Sequence, residues 1–192
     1  MVSQLNVVDE IKLDHNNVRD LFERFKAAHG KDERAVIANT LIREMSVHGE
    51  AEEISVYNEF PKYGLGDVVG HNKQEHADIK RLVYEADVTP ASHDSYDDVV
   101  TRAVTTFLEH AGEEEADQLA KLQNQVSAEE SDRLAREFLA ARRKVPTRAH
   151  PAAPQTGGAA QKAAGGAASL VDKAVESLGG REFVDLKYQH PE

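Results

Sequence analysis

The feature that most constrains this chain is a histidine–glutamate pair set into an apolar helical stripe, and then repeated. His48-Gly49-Glu50-Ala51-Glu52 continues a stripe made by Ala38, Leu41 and Met45. His110-Ala111-Gly112-Glu113-Glu114 continues one made by Val100, Ala103, Val104 and Phe107. A helix turns about 100° per residue, so residues four apart point the same way, one turn apart. Each His and Glu therefore falls on the face that its own stripe commits to the core.

The same alternation of threes and fours finds more polar residues where apolar ones belong. On the first helical stretch it runs Val8, Ile11, His15, Val18, Phe22 and Phe25; on the third, Val83 and Ile79 lead back to His76. Every amphipathic stretch thus places at least one histidine on its buried stripe, and two add a glutamate. An unpaired ionisable group in a core costs several kcal/mol, and a domain is stable by only about 5–15 kcal/mol. Six such groups can converge only around a compensating charge, which a divalent or trivalent cation supplies. Four imidazoles and two carboxylates exceed what one four-coordinate zinc needs. They suit two metals, with the carboxylates free to bridge. The chain has no cysteine, so disulfides, thiolate sites and thiol nucleophiles are excluded. Ligation by nitrogen and oxygen suits iron or manganese, with zinc also allowed.

The periodicity gives an all-α fold. Helices are expected over residues 6–29, from 32 to just before Pro61, over 68–87 and over 95–125, with Gly30 closing the first and Asp32 capping the second. Pro61, Gly64 and Gly66 mark one loop, and Thr89, Pro90, Ser92, His93 and Asp94 another. Ser127-Ala128-Glu129-Glu130 has the spacing of a capping box and opens a shorter fifth helix over 128–144, docked by Leu134, Phe138 and Leu139. Long antiparallel helices with short loops predict an up-down-up-down four-helix bundle over residues 1–145, with the fifth helix packed outside. Residues 146–192 read as a linker and flexible tail: Pro, Ala, Gly and Gln to about 166, then a short helix over 168–178. Phe183-Val184-Asp185-Leu186-Lys187-Tyr188 alternates and is expected extended. The tail is either disordered or an anchor that docks on the bundle or on a protein partner.

The net charge is −11 and the tail is neutral, so the whole excess sits on the first 145 residues. That argues against nucleic acid or an anionic membrane as partner. No apolar run of spanning length and no hydrophobic N-terminal signal region is found, so a cytoplasmic protein is expected.

The residues resemble those of the hemerythrin-like, HHE cation-binding family. The matching pieces are Leu13-Asp14-His15, His48 through Glu53, Glu75-His76, and Glu109-His110 through Glu113-Glu114-Glu115, within about residues 5–125. The resemblance implies a bundle holding two iron ions, oxo- or hydroxo-bridged, on His15, His48, Glu52, His76, His110 and Glu114, with manganese or zinc less favoured. It also implies binding of O2 or reaction with peroxide or nitrogen oxides. Oxygen-carrying hemerythrins have His-x-x-x-His on the third helix, whereas the residue four before His76 is Asn72, and they end in His-x-x-x-x-Asp rather than His110-x-x-x-Glu114. His71 or Glu75 is a candidate to fill that gap. The departure favours redox turnover or sensing over reversible oxygen carriage. Whether the centre consumes oxygen or peroxide as an enzyme is left open. The alternatives are an iron sensor or store without turnover, and a helical interaction module with a vestigial site.

Of the other residues, Tyr57 reads as packing near the end of the second helix, with a phenolate on ferric iron as the alternative. Glu75 reads as solvated or behind the ligands, and Glu113 and Glu115 as a solvated face. His29, His93, His150 and His190 fall at ends, in loops or in the tail and carry no signal.

Overall fold

Asn6 starts the first helix: its side-chain oxygen accepts from the amides of Val8 and Asp9, two donors that a helix start otherwise leaves unpaired. In this computed structural model, residues 4–154 and 156–191 are described; Gln155 and Glu192, in the stretch read as linker and tail, lie outside them. Helix α1 spans Val7–Ala27 and α2 Lys31–Ile54. A single turn α3 (Val56–Glu59) and two 3-10 turns (Phe60–Tyr63, Gly66–Val68) lead to α4, Val69–Val88. Helix α5, Tyr96–Glu113, continues through a π-helical turn at Glu114–Gln118 into α6, Leu119–Gln125. Helix α7 covers Ala128–Arg142 and begins at the expected cap, where the Ser127 hydroxyl accepts from the Glu130 amide at 3.1 Å. Helix α8 covers Ala159–Gly179, and all regular structure among the described residues is helical.

Three local expectations change. Gly30 does not close α1 in the left-handed region; it caps α2 from extended backbone (φ −124°), and Asp32 lies inside the first turn. There its charge still meets the positive end of the helix. Helix α2 stops at Ile54 rather than reaching Pro61, because the Ser55 hydroxyl bonds back to the Ala51 carbonyl at 2.5 Å and its backbone leaves the helical region. Helix α8 starts at Ala159, inside the stretch read as linker. Alanine, the best helix former, outweighs two glycines there, and buried Gln161, Ser169 and Asp172 fix the helix to its surroundings.

Helix α1 packs on α2 and α5, α4 packs on α2 and α5, and α7 lies against α1 and α2. The interior has two apolar clusters. One includes Val18, Leu21, Phe25, Leu41, Met45, Ile79, Val83, Val100, Val104 and Phe107. The other includes Val7, Val8, Ile11, Tyr57, Phe60, Leu119, Leu122, Leu134 and Phe138. Each fully buried Leu, Ile or Phe contributes about 1.5–3 kcal/mol, enough between them to hold a polar layer. That layer falls between the clusters on all four long helices: at Asp14 and His15, at His48 to Glu53, at Asn72 to His76, and at His110 to Glu114.

After α8 the chain runs extended beside α1 and α2. The Val184 amide donates to Thr40 Oγ1 at 3.0 Å, Asn39 Nδ2 donates to the Glu182 carbonyl at 3.2 Å, and Asn17 exchanges two 3.0 Å bonds with the Tyr188 backbone. Val184 and Leu186 lie partly buried on the first cluster. Among the described residues no helix is long and apolar enough to cross a membrane.

Candidate metal centre

Within the polar layer six side chains separate into two trios. His15, His48 and Glu114 form one, and Glu52, His76 and His110 the other; in each, three ligand atoms lie within 4.8 Å of one another. His15 Nε2 and His48 Nε2 are 3.2 Å apart, and His15 Nε2 is 3.7 Å from Glu114 Oε2. In the second trio His76 Nε2 and His110 Nε2 are 2.9 Å apart, and His76 Nε2 is 3.5 Å from Glu52 Oε2. Glu52 links the trios, since its Oε2 also lies 3.1 Å from His48 Nε2. All six are buried.

The four imidazoles share one orientation: Nε2 faces inward and Nδ1 faces a carboxylate. Glu115 Oε1 stands 2.7 Å from His15, Asp14 Oδ2 3.2 Å from His48, Glu53 Oε1 3.3 Å from His76, and Glu75 Oε2 2.8 Å from His110. Three of these carboxylates hydrogen-bond Nδ1, while His76 Nδ1 and Glu53 Oε1 face each other without a bond. A carboxylate behind Nδ1 favours the N–H there and turns the Nε2 lone pair inward, the arrangement found behind metal-bound histidines. Nε2 atoms facing each other at 2.9 and 3.2 Å need a proton or a cation between them.

The charges tell the same story. Burial opposes a charge on His48, but Glu52 and Asp14 outweigh it and push the group up to about 10. Burial likewise works against ionised Glu52, and His48 beside it brings that carboxyl down to about 2. Glu114 goes the other way: burial, then the negative charge of Glu52, drive it well above the carboxylate range. Burial and the nearby His76 hold His110 down to about 2, and burial lowers His15. A buried site that pushes one of its own carboxylates towards the neutral form is short of positive charge. Glu52 Oε1 and Glu114 Oε2 are moreover buried without a partner. One orphaned oxygen on the glutamate of each trio, beside converging Nε2 atoms of the imidazoles, fits a cation in each.

The comparisons agree. The profile of the Hemerythrin HHE cation binding domain matches residues 6–122, more than half of the chain. The chain belongs to the hemerythrin HHE cation-binding family. It is similar to an uncharacterized hemerythrin-like protein of Schizosaccharomyces pombe, 28% identical over 152 residues, covering 77% of this chain and 74% of the relative. It is also similar to a Nostoc protein named DNA nickase, 28% identical over 145 residues, covering 75% of this chain and 41% of that protein. No solved structure matches.

Within this hemerythrin-like domain the structure brings His15, His48, Glu52, His76, His110 and Glu114 together and leaves His71 and Glu75 outside the trios. Glu75 stands behind His110, and its other oxygen meets exposed His71 Nε2 at 3.2 Å. Asn72 is buried but turned to Gln118, exchanging amide bonds of 2.5 and 3.0 Å. Tyr57 does more than pack. Its hydroxyl lies 3.1 Å from Glu52, 3.2 Å from His76, 3.2 Å from Glu114 and 3.5 Å from His110. Burial, then the charges of Glu114 and Glu52, raise this phenol well above its usual value. Glu115, read as solvated, instead holds His15 and Arg19. His190 carries no helical periodicity, yet its ring reaches Asp14 and Glu10 at 2.7 Å each. A cavity of about 20 Å³ adjoins His76, walled by Met45, Ile79, Val83 and Phe107 and rimmed by Lys80 and Arg148.

Proposed function

We propose that this is a non-haem di-iron protein of the cytoplasm whose centre binds or reacts with O2, peroxide or nitrogen oxides. The observation that carries it is the pair of buried trios, each with two inward Nε2 atoms and one carboxylate that keeps an orphaned oxygen. His15, His48 and Glu114 would hold one iron and Glu52, His76 and His110 the other. Bound iron supplies Lewis-acid and redox chemistry. The chain's own residues do the rest. Glu115, Asp14 and Glu75 fix the protons on three of the four Nδ1 atoms, and Glu53 faces the fourth. The apolar clusters above and below exclude water. Tyr57 holds a proton within reach of Glu52 and Glu114, and its oxygen would be available to a metal held by Glu52, His76 and His110.

The up-down-up-down order of the four long helices belongs to this reading. Along α1 and α4 the Tyr57 cluster comes before the polar layer and the Phe107 cluster after it, while α2 and α5 run the reverse. The activity in the Nostoc relative's name is not carried over, because a chain with net charge −11 opposes binding to a polyanion.

The test is metal content per chain after anaerobic reconstitution with ferrous iron, with absorption spectra taken before and after dithionite and peroxide. Two irons per chain are expected, falling in His48→Ala and His110→Ala. Less than one iron in the wild-type protein refutes the reading.

A further inference from the structure

Each of the four carboxylates behind the histidines must itself be held still, and the groups that hold them differ in origin. Glu115 is held by Arg19 at 2.9 Å and Glu75 by His71 at 3.2 Å, all within the family-matched span. Asp14 and Glu53 are held from outside it. Asp14 Oδ2 takes His48 and Arg142, and its free oxygen Oδ1 takes His190 Nε2 at 2.7 Å. Glu53 Oε1 faces His76 Nδ1 at 3.3 Å without a hydrogen bond and lies 3.8 Å from Lys80 Nζ, while its Oε2 takes Gln161 Nε2 at 2.5 Å, a group that also donates to Glu50 Oε2 at 2.8 Å. In both cases one oxygen faces the imidazole and the arm ties down the other.

We propose that the C-terminal arm, residues 156–190, positions two of the four histidines: His190 sets His48 through Asp14, and Gln161 sets His76 through Glu53. This rests on the di-iron reading above. The arm is seated for that purpose at both ends. The reciprocal bonds between Asn17 and the Tyr188 backbone fix the register two residues before His190. A second bond from His190 Nδ1 to Glu10 Oε2, 2.7 Å long, sets its ring. At the other end Gly157 has φ +71°, and a Cβ there would stand 2.6 Å from the Glu53 carbonyl oxygen. Only glycine lets the chain come this close, and the Gly157 amide then donates to Gln161 Oε1 at 2.6 Å, aiming the side-chain N–H at Glu53. Without His190, Asp14 is free to rotate both oxygens onto Arg142 and away from His48. Without Gln161, Glu53 has no anchor on Oε2.

Loss of a partner behind a metal-bound histidine typically weakens the metal about 10–100-fold. The experiment follows release of two ferrous ions from the full-length protein to a coloured chelator, without oxygen, alongside melting of the metal-free protein. His190→Ala is expected to release one equivalent on the order of ten times faster and leave the other slow. Gln161→Ala and Gly157→Ala are expected to speed one equivalent as well, and His190→Ala with Gln161→Ala to speed both. His190→Gln, which keeps one N–H for Asp14, recovers part of the loss. Lys187→Ala, exposed on the same arm, leaves both rates alone. Wild-type release in His190→Ala and Gln161→Ala from a protein that holds two irons overturns the positioning role and leaves the di-iron reading intact. Equal acceleration of both ions in every arm variant, matched by a fall in melting temperature of the metal-free protein, also overturns it, since the arm is then a general clamp. A wild-type protein that takes up no iron removes both readings.

Discussion

Replacing Arg142 by methionine tests whether the layer behind the histidines is balanced by charge. Arg142 sits at the end of α7 with its side chain 12% exposed, between Asp14 and Glu44, which are buried. It bonds Glu44 Oε2 at 3.0 Å and Asp14 Oδ2, and its guanidinium stands over the Phe138 ring. Burial alone would raise the Asp14 carboxyl; Arg142, then His190 and His48, outweigh it and hold the group well below the usual range. Methionine keeps most of the apolar stem and therefore the packing, but leaves Asp14 to His48 and His190 alone and Glu44 to Arg43 alone. Breaking a buried ion pair from one side costs about 3–5 kcal/mol. With an unfolding entropy of about 2.1 cal/mol/K per residue over 192 residues, that becomes a fall in Tm of about 7–12 °C. Calorimetry on the metal-free protein at neutral pH measures it directly. Adding Asp14→Asn to Arg142→Met should recover much of the loss, because it removes one of the carboxylates left without Arg142, and the cycle should show coupling above about 1 kcal/mol. A fall below about 2 °C, or strictly additive effects, refutes the argument that these charges are compensated as a unit.

Two further outcomes follow from the same layer. Burial raises the Glu115 carboxyl, but the bonds to His15 and Arg19 prevail and bring it from 4.5 down to about 2. A depressed carboxyl contributes stability above its unfolded value and loses it as pH falls through the folded one. The urea midpoint of the metal-free protein should therefore drop between about pH 4.5 and 2, and Glu115→Gln should start lower at neutral pH and flatten that limb; parallel curves would show that Glu115 is not its source. Tyr57→Phe removes the hydroxyl but keeps the ring stacked on His76, whose centroid is 5.2 Å away. The metal-free fold should survive with a change of about 1 kcal/mol, while the iron-loaded protein should lose any visible phenolate-to-ferric absorption; an unchanged visible spectrum would place Tyr57 outside the coordination sphere.

What the sequence revealed depended on phase. His15, His48, His76 and His110 could be found because each continues a stripe of its own helix, and burial follows helical phase closely over Val7–Ala27 or Tyr96–Glu113. Tyr57 packs in the core as expected, but its contacts with the polar layer were not legible because that phase stops at Ser55. In an unbroken α2 the residue five after Glu52 points about 140° away, and the break turns it back onto the layer. Glu115 lies about 100° round from Glu114 and read as solvated; its partner His15 is on another helix, at a distance no local pattern encodes. His190 and Gln161 sit in stretches without apolar periodicity. Their places are set by hydrogen bonds to acids more than a hundred residues away, such as Asp14 and Glu53.

The two departures from the oxygen-carrier pattern, Asn72 and the altered end of the fourth helix, explain one another. Four residues of α-helix overshoot a full turn by about 40°, so a regular continuation from His110 through Glu114 would carry position 118 out of the layer. The π-helical turn at Glu114–Gln118 is wider and takes that drift back. Gln118 therefore stays on the buried face and meets Asn72 with both of its amide atoms. In a regular helix Asn72, fully buried, would lose that partner at a cost of about 1–3 kcal/mol. A histidine at 72 has no need of Gln118, and an asparagine there has no use without it. The amide pair offers no ligand atom to the second trio, although Asn72 also reaches the Tyr57 hydroxyl. Of the layer groups outside the two trios, it is Tyr57 that approaches Glu52 and His76 together from that side, its hydroxyl 3.1 and 3.2 Å away. On the di-iron reading, one metal position thus faces a phenol where the carriers place an imidazole. Burial, Glu114 and Glu52 keep that phenol protonated, so a hydrogen-bond donor to Glu52 and Glu114 stands there instead of a neutral ring nitrogen.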